Sequence, residues 1–409
     1  MYGAGLQFYG DEELREAVEV ITSRQMSRYR QGDAADQSQS KTAMFEEEFR
    51  STIGTGYCIA MNSCTSALLA ALAGIGIGAG DEVLVPGFTF IATIAAVVYA
   101  GACPVLVEID DTLTLDPEDI SRKITPQTRA IIPVHMLGAP CAMDSILEVA
   151  KRHGLAVIED VAQACGGSFR GARLGSLGNA GAFSLNVFKT ITAGDGGVLT
   201  TNDEGLYKTA FSFHDHGYSP SRNVVADADA SFGLNLRMNE LVGAVALAQI
   251  RKLDTIVAIL RRNKRVFAEE LLARAPLRFR RSNDEAGDCG TTISCVFDSP
   301  SRADSIANAL GTKTLIHSGK HYYGNMHQLS ASTVVPRRGS QMVPFPDHRY
   351  GRGALPRTDD ILARTVNLAV GVKDAYLGTS FGINPHSGKD EIAGVAEDFA
   401  IRTARLLSA

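Results

Sequence analysis

The chain has 409 residues, 45% of them hydrophobic and 21% charged, with a formal net charge of −5 at pH 7. That length exceeds one small core and predicts a large α/β domain with a second, smaller one, in a chain of ordinary soluble globular composition. The acidic balance leaves no electrostatic footprint for nucleic acid, and the longest apolar run, at 91–102, is too short to cross a bilayer, so neither is expected as a partner.

The first eighteen residues turn acidic at once and lack the basic and apolar segments of a signal peptide. Cysteines stand at 58, 64, 103, 141, 165, 289 and 295, an odd number with irregular spacing and no CxxC. Reduced thiols in a cytoplasmic enzyme are expected, not disulfides or a zinc site.

Residues 31–42 are polar and turn-rich and read as a loop before a helix over 43–54. From about 56 to 205 come seven short runs, "YCIAM", "DEVLVPG", "CPVLVEI", "RAIIPVH", "LAVIED", "AGAFSL" and "GGVLTTN", the earlier ones separated by helix-like segments. Continuous apolar runs of this kind suit strands buried on both faces of a mostly parallel sheet. "GIGIGAGDEV" at 74–83 follows a helix and precedes a strand, the reverse of a dinucleotide-binding turn, and reads as a helix stop. A long helical pattern occupies 238–275, with a break near Leu253–Asp254. A strand at 291–298 and a helix at 302–311 follow, then loops rich in Gly, Pro, His and Tyr over 318–357, and two closing helices at 358–370 and 389–407. The domain division expected is 1–245 for the large domain with its N-terminal arm and 246–409 for the smaller one.

Three places along this pattern carry chemistry. In "MNSCTSALLAAL", 61–72, small hydroxyl residues stand where a strand meets a helix N-terminus, a setting for a phosphate or simply for an N-cap. In "AVIEDVAQACGG", 156–167, a strand ends in Glu159–Asp160, at the end of a parallel strand where ligands bind. Asp160 either caps the next helix or pairs with the protonated nitrogen of a pyridine cofactor. In "FKTITAGDGGVL", 188–199, Lys189 precedes its glycines, the reverse of a phosphate loop. A lysine for an imine, a carboxylate for a pyridinium and a helix end for a phosphate are together what pyridoxal phosphate requires. The turn Gly194–Asp195–Gly196–Gly197 would let the backbone pass close beside the cofactor.

In these motifs, and in "GDEVLVPGFTFIATIAAVVYAGACPVLVEID" and "GLNLRMNELVGAVALAQIRKLD", nearly the whole chain resembles the DegT/DnrJ/EryC1/StrS sugar aminotransferases of the aspartate-aminotransferase (type I) fold. That resemblance implies an α/β, pyridoxal-phosphate-dependent transferase: a large domain with a mostly parallel mixed sheet sandwiched by helices, and a smaller C-terminal α/β domain. It implies Lys189 as the lysine that carries pyridoxal 5'-phosphate and shuttles the proton. Asp160 would meet the pyridine nitrogen, Gln163 the ring hydroxyl and Phe90 the ring face. Cys64, Thr65 and Ser184 would hold the phosphate, Cys64 standing where many relatives have glycine. Asn235 would reach the phosphate of the neighbouring subunit, so a homodimer with shared active sites is implied.

The implied reaction is ping-pong transfer of an amino group from L-glutamate or L-glutamine to a keto sugar, nucleotide-linked or free, or to a cyclitol ketone. Dehydration or decarboxylation on the same fold is the alternative. A regulatory protein without activity is disfavoured by the presence of Lys189, Asp160 and Ser184. The segment 318–329 departs from the Tyr-Pro-x-Pro-Leu-His pattern of nucleotide-sugar members, and His321, Tyr322, Tyr323 and His327 there are either substrate-pocket residues or ordinary loop aromatics. "FHDHG" at 213–217 has a metal-like HxH spacing, but a loop ending in His-Gly accounts for it and no metal is expected.

Overall fold

The computed structural model describes residues 3–29, 40–220, 232–330 and 350–407. Of the expected loops, residues 31–39 and 331–349 lie outside the described residues.

A 3₁₀ turn at Gly5–Phe8 leads into α1 (Asp11–Ser23) and then α2 (Lys41–Ile53), whose N-cap Ser40 accepts the N–H of Ala43. Strand β1 (Tyr57–Met61) feeds α3 (Cys64–Ile75), which ends on left-handed Gly76 as the helix stop in "GIGIGAG" requires. Then come β2 (Glu82–Pro86), α4 (Ile91–Tyr99), β3 (Cys103–Val107), α5 (Pro117–Lys123), β4 (Thr128–Ile131), α6 (Met143–His153) and β5 (Ala156–Asp160). A small hairpin of β6 (Ser168–Phe169) and β7 (Ala172–Arg173) precedes β8 (Ala180–Ser184), β9 (Gly197–Thr201) and α7 (Glu204–His214).

The long helical pattern is two helices, α8 (Glu240–Ile250) and α9 (Leu253–Leu272), so the break falls at 251–252, just ahead of the expected point. The chain closes with β10 (Thr292–Val296), α10 (Pro300–Ala309), the short α11 (His327–Ser330), α12 (Pro356–Ala363), β11 (Thr365–Ala369) and α13 (Lys389–Leu407).

The seven expected strands form one sheet in the order β1-β9-β8-β5-β4-β2-β3. Pairings β5–β8, β4–β5, β2–β4 and β2–β3 are parallel, and β9 runs antiparallel to both its neighbours. Alternate strand residues enter different cores. Ile59, Val83, Ala130 and Ile158 pack with α3, α4 and α7 on one face, while Leu84, Ile131, Val157 and Val198 pack with α2, α6 and α8 on the other. Burial on both faces is why these strands read as unbroken apolar runs. A third core gathers Phe267, Leu271, Ile293, Val366, Leu368 and Phe399 around the antiparallel pair β10–β11. This is an α/β architecture with a mostly parallel mixed sheet between helices. Among the described residues no helix is long and apolar enough to cross a membrane.

One expected element is different. The stretch 358–370 is not a helix throughout: α12 ends at Ala363, and Thr365–Ala369 is a wholly buried strand against β10. The Thr365 hydroxyl donates to the Ile361 carbonyl at 2.7 Å and finishes the last turn of the helix. β-Branched Thr365 and Val366 then suit the pleated, fully buried position, where a short apolar run gives no period to tell strand from helix.

Candidate active site

The carboxyl ends of β1, β2, β4, β5 and β8 and the amino end of antiparallel β9 open onto one cavity of about 650 Å³. Ligands of open α/β sheets bind outside those strand ends. Its walls include Cys64, Thr65, Phe90, Asp160, Gln163, Ser184 and Lys189, so seven sequence-derived positions far apart in the chain share one space.

Lys189 sits on the turn after β8, and a backbone segment the sequence did not point to supports it. Gly3 N–H donates to the Val187 carbonyl (2.8 Å) and Gly5 N–H to that of Lys189 (3.1 Å). A Cβ on Gly3 would lie 2.2 Å from the Phe188 carbonyl carbon, so only glycine lets the two strands of chain meet there. The Lys189 side chain reaches the open cavity yet is surrounded by protein. Burial lowers its pKa below the ordinary lysine value, against the opposing pull of Cys64, Asp160 and Asp374. A larger neutral fraction is what a nucleophilic amine needs.

Asp160 follows from strand alternation. Ile158 and Asp160 point to the α3–α4 face, and Glu159 to the other. Asp160 Oδ2 accepts the hydroxyl of Thr93 at 2.7 Å and Oδ1 the N–H of Ala162 at 3.0 Å. Burial raises the Asp160 pKa, and Thr93, Ala162 and Lys189 pull it back toward the ionised form. Glu159, fully buried, accepts the N–H groups of Gly175, Leu177 and Gly178 at 2.7–2.9 Å and faces His135 Nε2 at 3.1 Å. The Cys141 N–H donates to His135 Nδ1, so hydrogen bonding assigns the neutral Nε2–H form to that ring. Gln163 Oε1 accepts the N–H of Leu137, a left-handed residue, which leaves its amide N–H groups for whatever fills the cavity.

At the start of α3, Ser63 caps the helix by accepting the Ser66 N–H at 3.1 Å. The N–H groups of Cys64 and Thr65 take no acceptor from the described residues, and Ser184 stands beside them on the cavity wall. Free donors at a helix N-terminus make an anion site. Gly197 is the glycine this site requires, for a Cβ there would lie 2.2 Å from Ser63 C and 2.3 Å from Cys64 N. The close approach is thus of β9 to the helix end, whereas Gly194 meets open space. Burial holds the Cys64 thiol well above its usual pKa, so it stays a neutral neighbour.

This donor set fits pyridoxal phosphate: an amine, a buried carboxylate, a phenyl face 44% exposed at Phe90 and an anion-binding helix end around a space of suitable size.

The other expected positions divide. His321 lines the cavity, its ring 5.0 Å from that of Phe90. Burial pushes its pKa down to about 4, so it is neutral at pH 7. Tyr322 and Tyr323 do not line the cavity and are a correction to the pocket expectation. Both are fully buried, Tyr322 donating to Asp359 (2.7 Å) and Tyr323 accepting the Leu355 N–H (2.9 Å). They lie where 321–323 runs along Gly87–Thr89, so the residue after His321 points into the core. His327 lies exposed at the start of α11, outside the cavity wall. Asn235 is exposed outside its own chain's cavity, beside Leu236, whose carbonyl accepts the Asn62 N–H.

His214 ends α7 with Nδ1 on the Phe211 carbonyl and Nε2 on the Tyr29 hydroxyl, while His216 is exposed at positive φ, so the two rings of "FHDHG" do not converge. The cavity also holds Thr93, Asn325, Asp374 and Tyr376, which sequence reasoning missed. Thr93, three residues into the "FIAT" turn, had a helical-spacing signal; Asp374 had none.

A model of the DegT/DnrJ/EryC1/StrS aminotransferase family matches residues 11–373. GDP-perosamine synthase of Caulobacter vibrioides is 45% identical over 215 residues, 52% of this chain and 57% of that protein. L-glutamine:2-deoxy-scyllo-inosose aminotransferase of Streptoalloteichus tenebrarius is 37% identical over 248 residues, 59% of this chain and 58% of that one. The chain thus spans somewhat over half the length of these curated relatives. The X-ray structure of an aminotransferase from Psychrobacter cryohalolentis superposes with a TM-score of 0.78 at 28% identity, covering 97% of this chain and 98% of the other.

Proposed function

Because the chain belongs to the DegT/DnrJ/EryC1/StrS aminotransferase family, whose members depend on pyridoxal phosphate, we propose that it transfers an amino group from L-glutamate or L-glutamine to a keto sugar or cyclitol ketone. The observation that carries the proposal is the meeting of Lys189 and Asp160 in one cavity with the open N-terminus of α3. When bound, the cofactor supplies an electron sink for the substrate carbon. Every other task falls to the chain. Lys189 holds the cofactor through its amine and moves a proton at the substrate carbon in both half-reactions. Asp160 keeps the ring nitrogen protonated, and Gln163 takes the ring hydroxyl. The N–H groups of Cys64 and Thr65, with the Ser184 hydroxyl, hold the phosphate, and Phe90 covers the ring. The reaction is ping-pong: the donor leaves as 2-oxoglutarate or its amide before the ketone enters. One carbonyl and one amine are exchanged, so no outside oxidant is needed.

The working unit is a homodimer in which Asn235 reaches the neighbouring subunit's phosphate. Its exposure supports this, as do Phe232 (103% exposed) and Leu234 (53%) on the same segment, since apolar side chains of that size left bare mark interaction surfaces.

The test is a visible absorption spectrum of protein reconstituted with pyridoxal phosphate, beside Lys189→Ala. A yellow lysine-bound band in the wild type only, bleached by a donor with release of its oxo acid, is the expected result. Absence of that band in the wild type would remove the proposal. A band no donor bleaches would move it to dehydration or decarboxylation. Mixing Lys189→Ala with Asn235→Ala should restore some activity, and no recovery after confirmed subunit exchange would argue for self-contained sites.

A further inference from the structure

The family match stops at residue 373, and the next residue, Asp374, stands in the cavity wall. It belongs to the turn after β11 and is buried, with 9% of its surface exposed. The turn holds it firmly. Its N–H donates to Thr379 Oγ1 (2.6 Å), its carbonyl accepts that hydroxyl (3.0 Å) and the Thr379 N–H (3.1 Å), and Oδ1 accepts the Tyr376 N–H (2.8 Å). Oδ2 receives no hydrogen bond from the described residues, and none of them forms an ion pair with Asp374. That oxygen is not sealed in the interior: it is left open to the cavity, where a hydrogen-bond donor on a ligand can reach it.

The cofactor-side wall, from Ser63 to Ser184, already has its tasks. The part of the lining from Thr291 onward, with Thr292, Lys320, His321, Asn325, Asp374 and Tyr376, is left for the substrate. Two fixed charges stand on it. Lys320 is exposed at the rim, where solvent and salt screen it. Asp374 is mostly buried with Oδ2 open to the cavity, and a ligand that fills the cavity displaces the water that screens it. His321 is no counter-ion, since its Nδ1–H donates to the Ser318 carbonyl and the ring is neutral at pH 7.

We infer that Asp374 is a specificity-determining residue that selects L-glutamine over L-glutamate as amino donor; this rests on the aminotransferase reading above. The two donors share their α-amino and α-carboxylate groups, so only the far end can tell them apart. The carboxamide of L-glutamine offers N–H donors to Oδ2. The carboxylate of L-glutamate offers none and brings a second negative charge beside the first. Selection comes from what the site repels as much as from what it binds.

The experiment uses the full-length holoenzyme, reconstituted with pyridoxal phosphate, and follows bleaching of the lysine-bound band by each donor in a single turnover. The wild type is expected to react roughly tenfold or more faster with L-glutamine than with L-glutamate at equal subsaturating concentration. In Asp374→Asn the preference should shrink to about threefold or less, chiefly because L-glutamate gains, and Asp374→Ser should behave alike. A binding readout accompanies it: in Lys189→Ala loaded with pyridoxal phosphate, L-glutamine should raise the melting temperature more than L-glutamate. Equal rates, or faster reaction with L-glutamate, in the wild type overturn the inference whatever the variants do. A parallel loss with both donors in Asp374→Asn also overturns it and assigns Asp374 to the fold or to the ketone. A wild type that shows the band but reacts with neither donor removes the amino-donor reading itself, an outcome distinct from lost selectivity.

Discussion

The Thr93 hydroxyl donates to Asp160 Oδ2 at 2.7 Å, and Thr93 Oγ1 in turn lies 2.7 Å from that of Thr89. Two residues 67 apart in sequence are thereby locked across the floor of the cavity. Burial works to protonate Asp160, and the Thr93 hydrogen bond is the largest of the effects that oppose it. Thr93→Val keeps the shape and removes the donor. A hydrogen bond to a charged group contributes about 1.5–3 kcal/mol, so pyridoxal phosphate affinity should fall by about ten- to a hundredfold. The acid limb of the pH–rate profile should move to higher pH, because Asp160 then protonates more readily. Thr93→Ser should recover both. A Thr93→Val enzyme with unchanged affinity and an unmoved acid limb would show that Asp160 needs no help.

Gly197 and Gly194, three residues apart, should respond in opposite ways. A Cβ at Gly197 runs into the Ser63–Cys64 peptide at 2.2–2.3 Å, and backbone atoms cannot step aside without moving the anion site. Gly197→Ala should therefore lose most affinity for both pyridoxal phosphate and inorganic phosphate, measured by calorimetry on the protein freed of cofactor. Gly194 has φ +87° and nothing within 4 Å. Gly194→Ala should cost about 1 kcal/mol of stability from backbone strain and leave phosphate affinity unchanged. Equal loss of phosphate affinity in both variants would mean that the collision is absorbed elsewhere.

The sheet and the gathering of Lys189, Asp160 and Phe90 in one cavity were legible because local chemistry there repeats what the fold demands. Strands covered on both faces show as apolar runs, and a helix start needs small hydroxyl residues. A lysine, an aspartate and a phenyl group at ordered spacings then belong to one motif set. What was not legible depends on long-range contact. Tyr322 and Tyr323 sit in an aromatic, loop-like stretch that reads the same whether its rings face a cavity or a core, and only the pairing with Gly87–Thr89 decides. Asp374 lies beyond any motif and reaches the cavity only because β11 lies beside β10. Gly3 and Gly5 support the lysine turn from some 185 residues away, which no local pattern announces.

Glu159 should matter to stability more than to chemistry. It is fully buried on the face opposite Asp160, and its carboxylate is the acceptor for three backbone N–H groups and the neighbour of His135. Glu159→Ala would leave those donors in the interior without partners, at a cost of about 3–5 kcal/mol. Urea denaturation of the cofactor-free protein should show the loss as a lower midpoint with an unchanged slope. A cost below about 1 kcal/mol would mean that water enters and replaces the carboxylate.

His214 predicts how the protein responds to acid. It is wholly buried, with Nδ1–H on the Phe211 carbonyl at 2.5 Å and Nε2 on the Tyr29 hydroxyl at 3.2 Å, and burial brings its pKa down from 6.5 to about 4. Between those values the unfolded chain binds a proton at this residue and the folded chain does not. Its contribution is therefore fully present above pH 6.5 and is lost as the pH falls toward 4. The full span corresponds to up to about 3 kcal/mol. His321 is shifted the same way, so the wild-type slope alone assigns nothing, and the informative quantity is the difference made by one substitution. His214→Gln stays neutral at every pH. It should be less stable than the wild type at pH 7, where it loses part of the hydrogen bonding, and the gap should narrow or reverse toward pH 4. A gap that stays constant across that range, measured by urea denaturation at matched ionic strength, would show that His214 titrates alike in the folded and unfolded chains.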